Sequence, residues 1–211
     1  MEILYIGIFL FTAYLLGSIP TSVWIGKLFF NIDVREFGSG NAGATNTFRV
    51  LGKKAGIPVL IIDILKGSAA VALSYSSGFD PGSDFFINFQ IALGVASLIG
   101  HIFPIFAGFR GGKGVATLLG VVICIHPVAC SIALLVFFAV LFTTRYVSLS
   151  SMSAGLSFPI ILNVIFKNDN PNLMIFSILV AVVLVITHRK NITRLLNKQE
   201  TRVRLYNKAS H

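Results

Sequence analysis

From Val115 to Phe142 the chain runs 28 residues without a charged side chain. As one α-helix this stretch would reach about 42 Å, too long for a single crossing of the roughly 30 Å hydrocarbon core of a bilayer. His126-Pro127 sits near its middle. Proline lacks the N–H that a helix interior needs and disfavours helical geometry in the residue before it. The stretch therefore reads as two short helices meeting at His126.

The rest of the chain follows the same logic. Of its 211 residues, 55% are apolar and 12% charged, with a mean hydropathy of +0.84, whereas about 25% of residues are charged in soluble domains. An ordinary soluble protein is excluded. Residues 3 to 26, 55 to 77, 86 to 108, 150 to 166 and 172 to 187 form further apolar runs long enough, or nearly so, to cross a membrane. The expectation is an all-α polytopic membrane protein with seven transmembrane helices, some short, forming one domain over 1–211. The first run lacks a basic leader and a small-residue cleavage site, so it is expected to stay as the first helix. Cys124 and Cys130 lie in an apolar stretch without metal-ligand or disulfide spacing. They read as buried thiols.

Charge sorts the loops by side. With seven helices and an external N-terminus, the internal segments are 27 to 54, 110 to 114, 143 to 149 and 188 to 211. They carry fifteen of the seventeen Lys and Arg residues, as the positive-inside rule requires. A single crossing by 115 to 142 would instead place Arg145 and the C-terminal cations, Arg204 and Lys208 among them, outside. Glu2, Asp80, Asp84 and Asp169 fall on the other face. The net charge of +9 is thus a one-sided surplus, suited to anionic headgroups. No nucleic-acid module accompanies it.

Polar chemistry collects in three segments on the basic side. In Gly38 to Arg49, glycines alternate with Ser39, Asn41, Thr45 and Asn46. Glycine backbone lets N–H groups approach an anion, and Arg49 offers a bidentate clamp. The GxGxxG spacing here lacks a preceding strand, which excludes the dinucleotide reading. In Gly100 to Thr117, Gly111-Gly112-Lys113-Gly114 at the foot of a helix reads as a phosphate cradle with free N–H groups. It is not a Walker A loop, because Ala107 stands where that loop needs Gly and Gly114 where it needs Ser or Thr. In Thr187 to Glu200, His188 and Asn191 would share a face of a continuing helix. A headgroup-facing Lys113 and an interfacial His188 are the bland alternatives.

Other polar residues read as structural. Asp63 and Lys66, three apart in an apolar helix, are expected to pair, since an unpaired charge there is costly. His101 reads as a hydrogen-bonded packing residue, and helix capping accounts for Ser148, Ser150 and Ser151, with Ser151 also a candidate phosphate donor. His126 and His211 belong to no cluster.

These residues resemble the bacterial acyl-phosphate:glycerol-3-phosphate acyltransferases, the PlsY family. Matching blocks occur in order along nearly the whole chain: GS at 17–18, GSGNAGATN at 38–46, DxxKG at 63–67, GHxFPxF at 100–106, GGKGVAT at 111–117, RYxS at 145–148, and HRxNIxRLL from His188. One departure is Lys198, where the family often has Gly two residues before the C-terminal Glu, here Glu200.

The resemblance implies a multi-pass enzyme of the inner (plasma) membrane, with its C-terminus and active site cytoplasmic and its motifs at 38–49, 110–117, 145–151 and 188–200. It implies transfer of an acyl chain from acyl phosphate to the 1-hydroxyl of glycerol 3-phosphate, giving lysophosphatidate and phosphate in phospholipid biosynthesis. No metal or cofactor is implied. The partners are the two substrates and membrane lipids, with no nucleic acid, and a monomer is expected. Carried over residue by residue, Ser39, His188 and Asn191 would be catalytic. Gly40, Asn41, Thr45, Asn46, Arg49, Gly111, Gly112, Lys113, Gly114 and Ser151 would bind substrate phosphates.

An acyl phosphate already carries a good leaving group, so no covalent intermediate is expected. The His-x4-Asp pair of acyl-CoA-dependent acyltransferases is missing, since Phe106, Ser131 and Thr193 stand five residues after His101, His126 and His188.

Overall fold

A computed structural model describes residues 2–203; Arg204, Lys208 and His211 lie outside the described residues. Among the described residues the regular structure is all helical, without strands. The helices are α1 (Glu2–Gly17), α2 (Thr21–Phe30), α3 (Ala44–Leu51), α4 (Lys53–Ala72), α5 (Asp84–Ile102), α6 (Val115–Ile125), α7 (Pro127–Thr144), α8 (Val147–Ile160), α9 (Pro171–Thr187) and α10 (Arg189–Leu196). Four spans among them are long and apolar enough to cross a membrane, and up to six if each bent pair counts once. The chain divides into two compact units, Met1–Pro127 and Val128–His211.

The break expected at His126-Pro127 is present: α6 ends at Ile125 and α7 opens on Pro127. Proline is well placed at a first helical position, where its missing N–H would have had no partner. The run 3 to 26, expected as one helix, is two. It bends by 40° between α1 and α2 because Pro20 follows the small pair Gly17-Ser18, the same physics as at Pro127. The last helix does not continue straight past His188 either; α9 and α10 meet there at 58°.

In the first unit, α4 is central and packs against α1, α2, α3, α5 and α6. Small residues permit its closest approach to α6. A Cβ on Gly67 would fall 2.1 Å from the Thr117 carbonyl oxygen, and one on Gly120 2.0 Å from that of Ile64. Ser68 Oγ crosses the same contact, donating to the Gly120 carbonyl at 3.0 Å. α1 and α5 repeat the device at Gly17 and Gly100, each against a carbonyl of the other helix. Membrane helices gain little from hydrophobic burial against each other, so backbone-to-backbone packing at glycine carries much of the association. Outward-facing Leu4, Ile8, Phe11 and Leu65 are exposed, as lipid-facing side chains must be.

In the second unit, α8 packs on α9 through Gly155, whose missing Cβ makes room for Leu184. A π-helical turn, Ile161–Ile165, ends α8 just after Pro159. There the freed Pro159 carbonyl accepts from Asn163 Nδ2 at 2.7 Å.

Candidate functional site

The first unit brings the first two polar segments together. The loop 38–43 turns through Gly38 and Gly40, with φ of 62° and 71°, and leads into α3. Asn46 organises it from inside: its Oδ1 accepts from Ser39 N at 2.8 Å and Ser39 Oγ at 3.0 Å, while its Nδ2 donates to the Val34 and Phe37 carbonyls. All four hydrogen-bonding positions of the amide are thereby engaged. Asn46, expected among the phosphate-binding residues, is here bonded on all sides to its own chain. It holds Ser39 in place. Thr45 and Arg49 lie one turn apart on the exposed side of α3, opposite buried Asn46 and Thr47. Gly40 is exposed and Asn41 half-buried in the loop before them.

The 111–114 loop departs further from expectation. Gly111 N donates to the Ile102 carbonyl at 3.1 Å, and Gly112 N to the His101 carbonyl at 3.2 Å. The N–H groups expected to be free there are thus taken up by the end of α5. Gly111 and Gly112 are glycines for space. A Cβ at Gly111 would lie 2.0 Å from the His101 carbonyl oxygen; one at Gly112 would lie 2.3 Å from His101 Nε2 and 2.7 Å from the Ala42 carbonyl oxygen. The Ala42 contact is what seats the two loops against each other. Lys113 is half-buried, and Gly114, at φ 79°, turns the chain into the first turn of α6, where helix N–H groups point outward.

Beneath the loops lies a buried polar network. Asp63 Oδ1 is 2.9 Å from Lys66 Nζ and accepts from Thr21 Oγ1 at 3.1 Å. Lys66 Nζ also donates at 2.8 Å to the Ile19 carbonyl at the α1–α2 break, which accepts from Thr21 N as well at 3.0 Å. His101 Nδ1 shares a hydrogen bond with Thr117 Oγ1 at 3.0 Å and stands 3.9 Å from Asp63 Oδ1. The expected pairing of Asp63 with Lys66 and the packing role of His101 are both present. A cavity of only about 10 Å³ remains between Thr21, Ala42, Lys66 and Gly112, so the loops rest on a nearly solid polar floor.

In the second unit, His188 is buried at the α9–α10 junction, 3% exposed. Its Nδ1 lies 2.7 Å from the Leu184 carbonyl. A carbonyl only accepts, so Nδ1 carries the proton, and proton exchange falls to Nε2. Asn191 N donates to the His188 carbonyl at 2.8 Å, tying the two expected residues together. Ser148, Ser150 and Ser151 do not cap α8, whose cap residue is Tyr146. Ser150 and Ser151 instead donate back to the carbonyls of Tyr146 and Val147. Ser151 keeps its lone pairs for other donors.

Glu200 is a hub. Its Oε1 accepts from Asn191 Nδ2 at 2.6 Å and Ser148 Oγ at 2.9 Å, and its Oε2 from Arg194 Nε at 2.8 Å. Burial pulls the carboxyl toward its neutral form, but these three bonds outweigh it and hold its pKa below the usual glutamate value. The spacing of His188, Asn191 and Arg194, three residues apart, was the legible signal. The tail closes with Val203 N on the Arg145 carbonyl at 2.9 Å and Arg202 over the Tyr146 ring.

Comparison with known proteins accords with this arrangement. Residues 7–198 match the family model of glycerol-3-phosphate acyltransferase. The chain is 48% identical over 188 residues to a Bacillus cereus (strain G9842) glycerol-3-phosphate acyltransferase, covering 89% of this chain and 90% of that one. It is 45% identical over 205 residues to one from Enterococcus faecalis, covering 94% and 92%. Its fold is similar to the crystal structure of PlsY (YgiH), an integral membrane glycerol 3-phosphate acyltransferase, in its glycerol 3-phosphate form, with TM-score 0.85 and 38% identity over 95% of this chain and 96% of that one. The lysophosphatidic acid form of PlsY gives TM-score 0.82 and 37% identity, at 95% and 96% coverage. The chain belongs to the glycerol-3-phosphate acyltransferase family.

Proposed function

We propose that this protein transfers an acyl group from an acyl phosphate to the 1-hydroxyl of glycerol 3-phosphate, releasing 1-acyl-glycerol 3-phosphate and inorganic phosphate. The observation that carries the reading is the seating of the Ser39 loop against the 111–114 loop, with Arg49 and Lys113 on those two segments. The solved relatives with glycerol 3-phosphate and lysophosphatidic acid supply the acceptor and product classes.

In this reading Arg49 and Lys113 neutralise phosphate charge, with Thr45, Asn41, Gly40, Gly114 and Ser39 Oγ as neutral partners. The glycerol oxygen attacks the acyl carbonyl carbon, the bond from that carbon to the phosphate oxygen breaks, and the hydroxyl proton ends on the departing phosphate. His188 Nε2 and Asn191 align the reacting groups, and Ser151 accepts a hydrogen bond from substrate. Holding hydroxyl and acyl carbon together supplies much of the acceleration. No covalent enzyme intermediate is required.

The same proposal has seven crossings, an external N-terminus, and a cytoplasmic site and C-terminus in the inner membrane, with the chain acting as a monomer. The one-sided distribution of Lys and Arg supports that count. It requires α6, about 16 Å long, to serve as a short crossing.

The deciding assay gives purified protein palmitoyl phosphate and glycerol 3-phosphate and follows phosphate release and lysophosphatidate. Both products appear in equal amounts if the reading is right; no product, or equal activity with acyl-CoA alone, sinks it. His188→Ala lowers turnover about 100-fold or more. Lys113→Ala raises KM for a phosphate-bearing substrate, and an unchanged KM for both substrates removes it from the site.

A further inference from the structure

Within the first unit, α2, the loop after it and the segment 106–110 line a second cavity, open to the surface, of about 470 Å³. That volume lies within the roughly 300–1,000 Å³ of small-ligand sites. Val23, Trp24 and Lys27 line one wall, Phe106 and Arg110 another, with Arg35 between them. Trp24 and Lys27 are three apart on α2 and share a face. The Trp24 ring centroid is 6.3 Å from that of Phe106, so two aromatic rings bound the opening.

Arg35 is locked in place. Its Nε and Nη2 donate to Asp33 Oδ1 and Oδ2 at 2.9 and 2.7 Å, and its Nη1 to the Ala107 carbonyl at 2.8 Å. Lys27 Nζ lies 3.4 Å from the same carboxylate, which these cations hold far below the usual carboxylate range, chiefly through the Arg35 hydrogen bond. Arg110 adds a third cation. The lining contains no carboxylate, and exposed Glu36 acts on Arg35 from outside it.

Leu28, Phe29, Phe103 and Ile105, near the lining residues in sequence, are exposed. Trp beside Lys and Arg, flanked by exposed apolar side chains, is the chemistry of the bilayer–water boundary. None of Ser39, Arg49 or Lys113 lines the cavity, which meets the 110–117 segment only at Arg110. We propose that it binds the headgroup phosphate of an anionic phospholipid of the surrounding bilayer, between Lys27 and Arg110, with the lipid chains against Trp24 and Phe106. This rests on the membrane reading of the chain and is independent of the proposed reaction.

Trp24 is the chain's single tryptophan, which makes the site its own reporter. The full chain is reconstituted in bilayers containing phosphatidylglycerol and phosphatidylcholine, with brominated chains on one lipid or the other at equal mole fraction. Brominated phosphatidylglycerol is expected to quench Trp24 more than brominated phosphatidylcholine. Lys27→Gln and Arg110→Gln each lower that preference about fivefold, and Lys27→Arg with Arg110→Lys retains it, at unchanged helix content. Equal quenching by the two lipids, or a preference that survives both Gln substitutions, overturns the proposal. So does a preference erased by an equimolar non-hydrolysable acyl phosphonate, which would assign the cavity to a single-chain donor.

Discussion

His101 and Gly112 are packed so closely that the imidazole occupies the space a side chain at 112 would need: a Cβ there would sit 2.3 Å from His101 Nε2. Gly112 N donates to the His101 carbonyl from the same position. The α5 C-terminus thus sets the height of the 111–114 loop. Gly112→Ala must push the loop away from both His101 and Ala42, and kcat/KM for acyl transfer is expected to fall at least about tenfold, the kinetic equivalent of a 1–3 kcal/mol overpacking. Gly7→Ala, with open space around its Cβ, leaves kcat/KM within twofold of about unity ratio. Steady-state kinetics on the two variants checks the contrast.

Asp63 and Lys66 share one hydrogen-bonded contact at 2%–4% side-chain exposure. Removing one charge strands the other, so Asp63→Leu or Lys66→Met alone is expected to lower stability by about 3–5 kcal/mol. The double variant should recover most of that loss, because two apolar side chains replace two desolvated charges. Thermal unfolding in detergent micelles reports both, and a double variant no more stable than the singles contradicts the pairing.

Glu200 gives the tail a pH dependence of definite sign. Its folded pKa is depressed, so it adds stability that is fully present above the unfolded value of about 4.3 and is lost as pH falls through the lower folded value. At neutral pH Glu200→Gln should cost about 1.5–3 kcal/mol, as charge-assisted hydrogen bonds become neutral ones. As pH falls below about 4.3 and on through the lower folded value, the two proteins should converge. Unfolding temperatures measured from neutral pH down into that range test this; parallel curves would count against it.

Lys198 stands in the left-handed region at φ 56°, two residues before the carboxylate it helps to aim. An L side chain costs roughly 1–2 kcal/mol there. Lys198→Gly relieves that strain and, after its greater unfolded-state entropy is counted, is expected to change stability by less than about 1 kcal/mol. Lys198→Val, β-branched, is expected to lose more than about 1 kcal/mol. Chemical denaturation of the pair decides it. The family's frequent Gly at this place thereby acquires a backbone reason.

Much of the fold was legible because the bilayer imposes one-dimensional rules. Charge-free runs marked the apolar helices, and Pro127 split the longest. Pro20 was equally visible, but the run 3 to 26 is of ordinary crossing length, so nothing in its span demanded a break. Among the residues proposed for function, Ser39, Arg49, Lys113, His188 and Asn191 were readable as residue types suited to phosphate and proton chemistry. The bonds that Asn46, Gly111 and Gly112 make were not readable for one reason: a polar amide or a glycine N–H looks equally available in sequence whether it faces a ligand or its own chain. The hydrogen bonds from Asn46 to Val34 and Phe37, and those from Gly111 and Gly112 to the end of α5, close loops whose path no helical or strand periodicity sets.

By itself, then, the sequence determined that this chain is helical and membrane-borne, because hydropathy acts residue by residue against the solvent. Only the tertiary structure decided which polar groups support the loops from within. It set Asn46 beneath Ser39, His101 beneath Gly112, and Glu200 among Ser148, Asn191 and Arg194. Hydrogen bonds have short range and fixed direction, so their partners are chosen by packing and not by spacing along the chain.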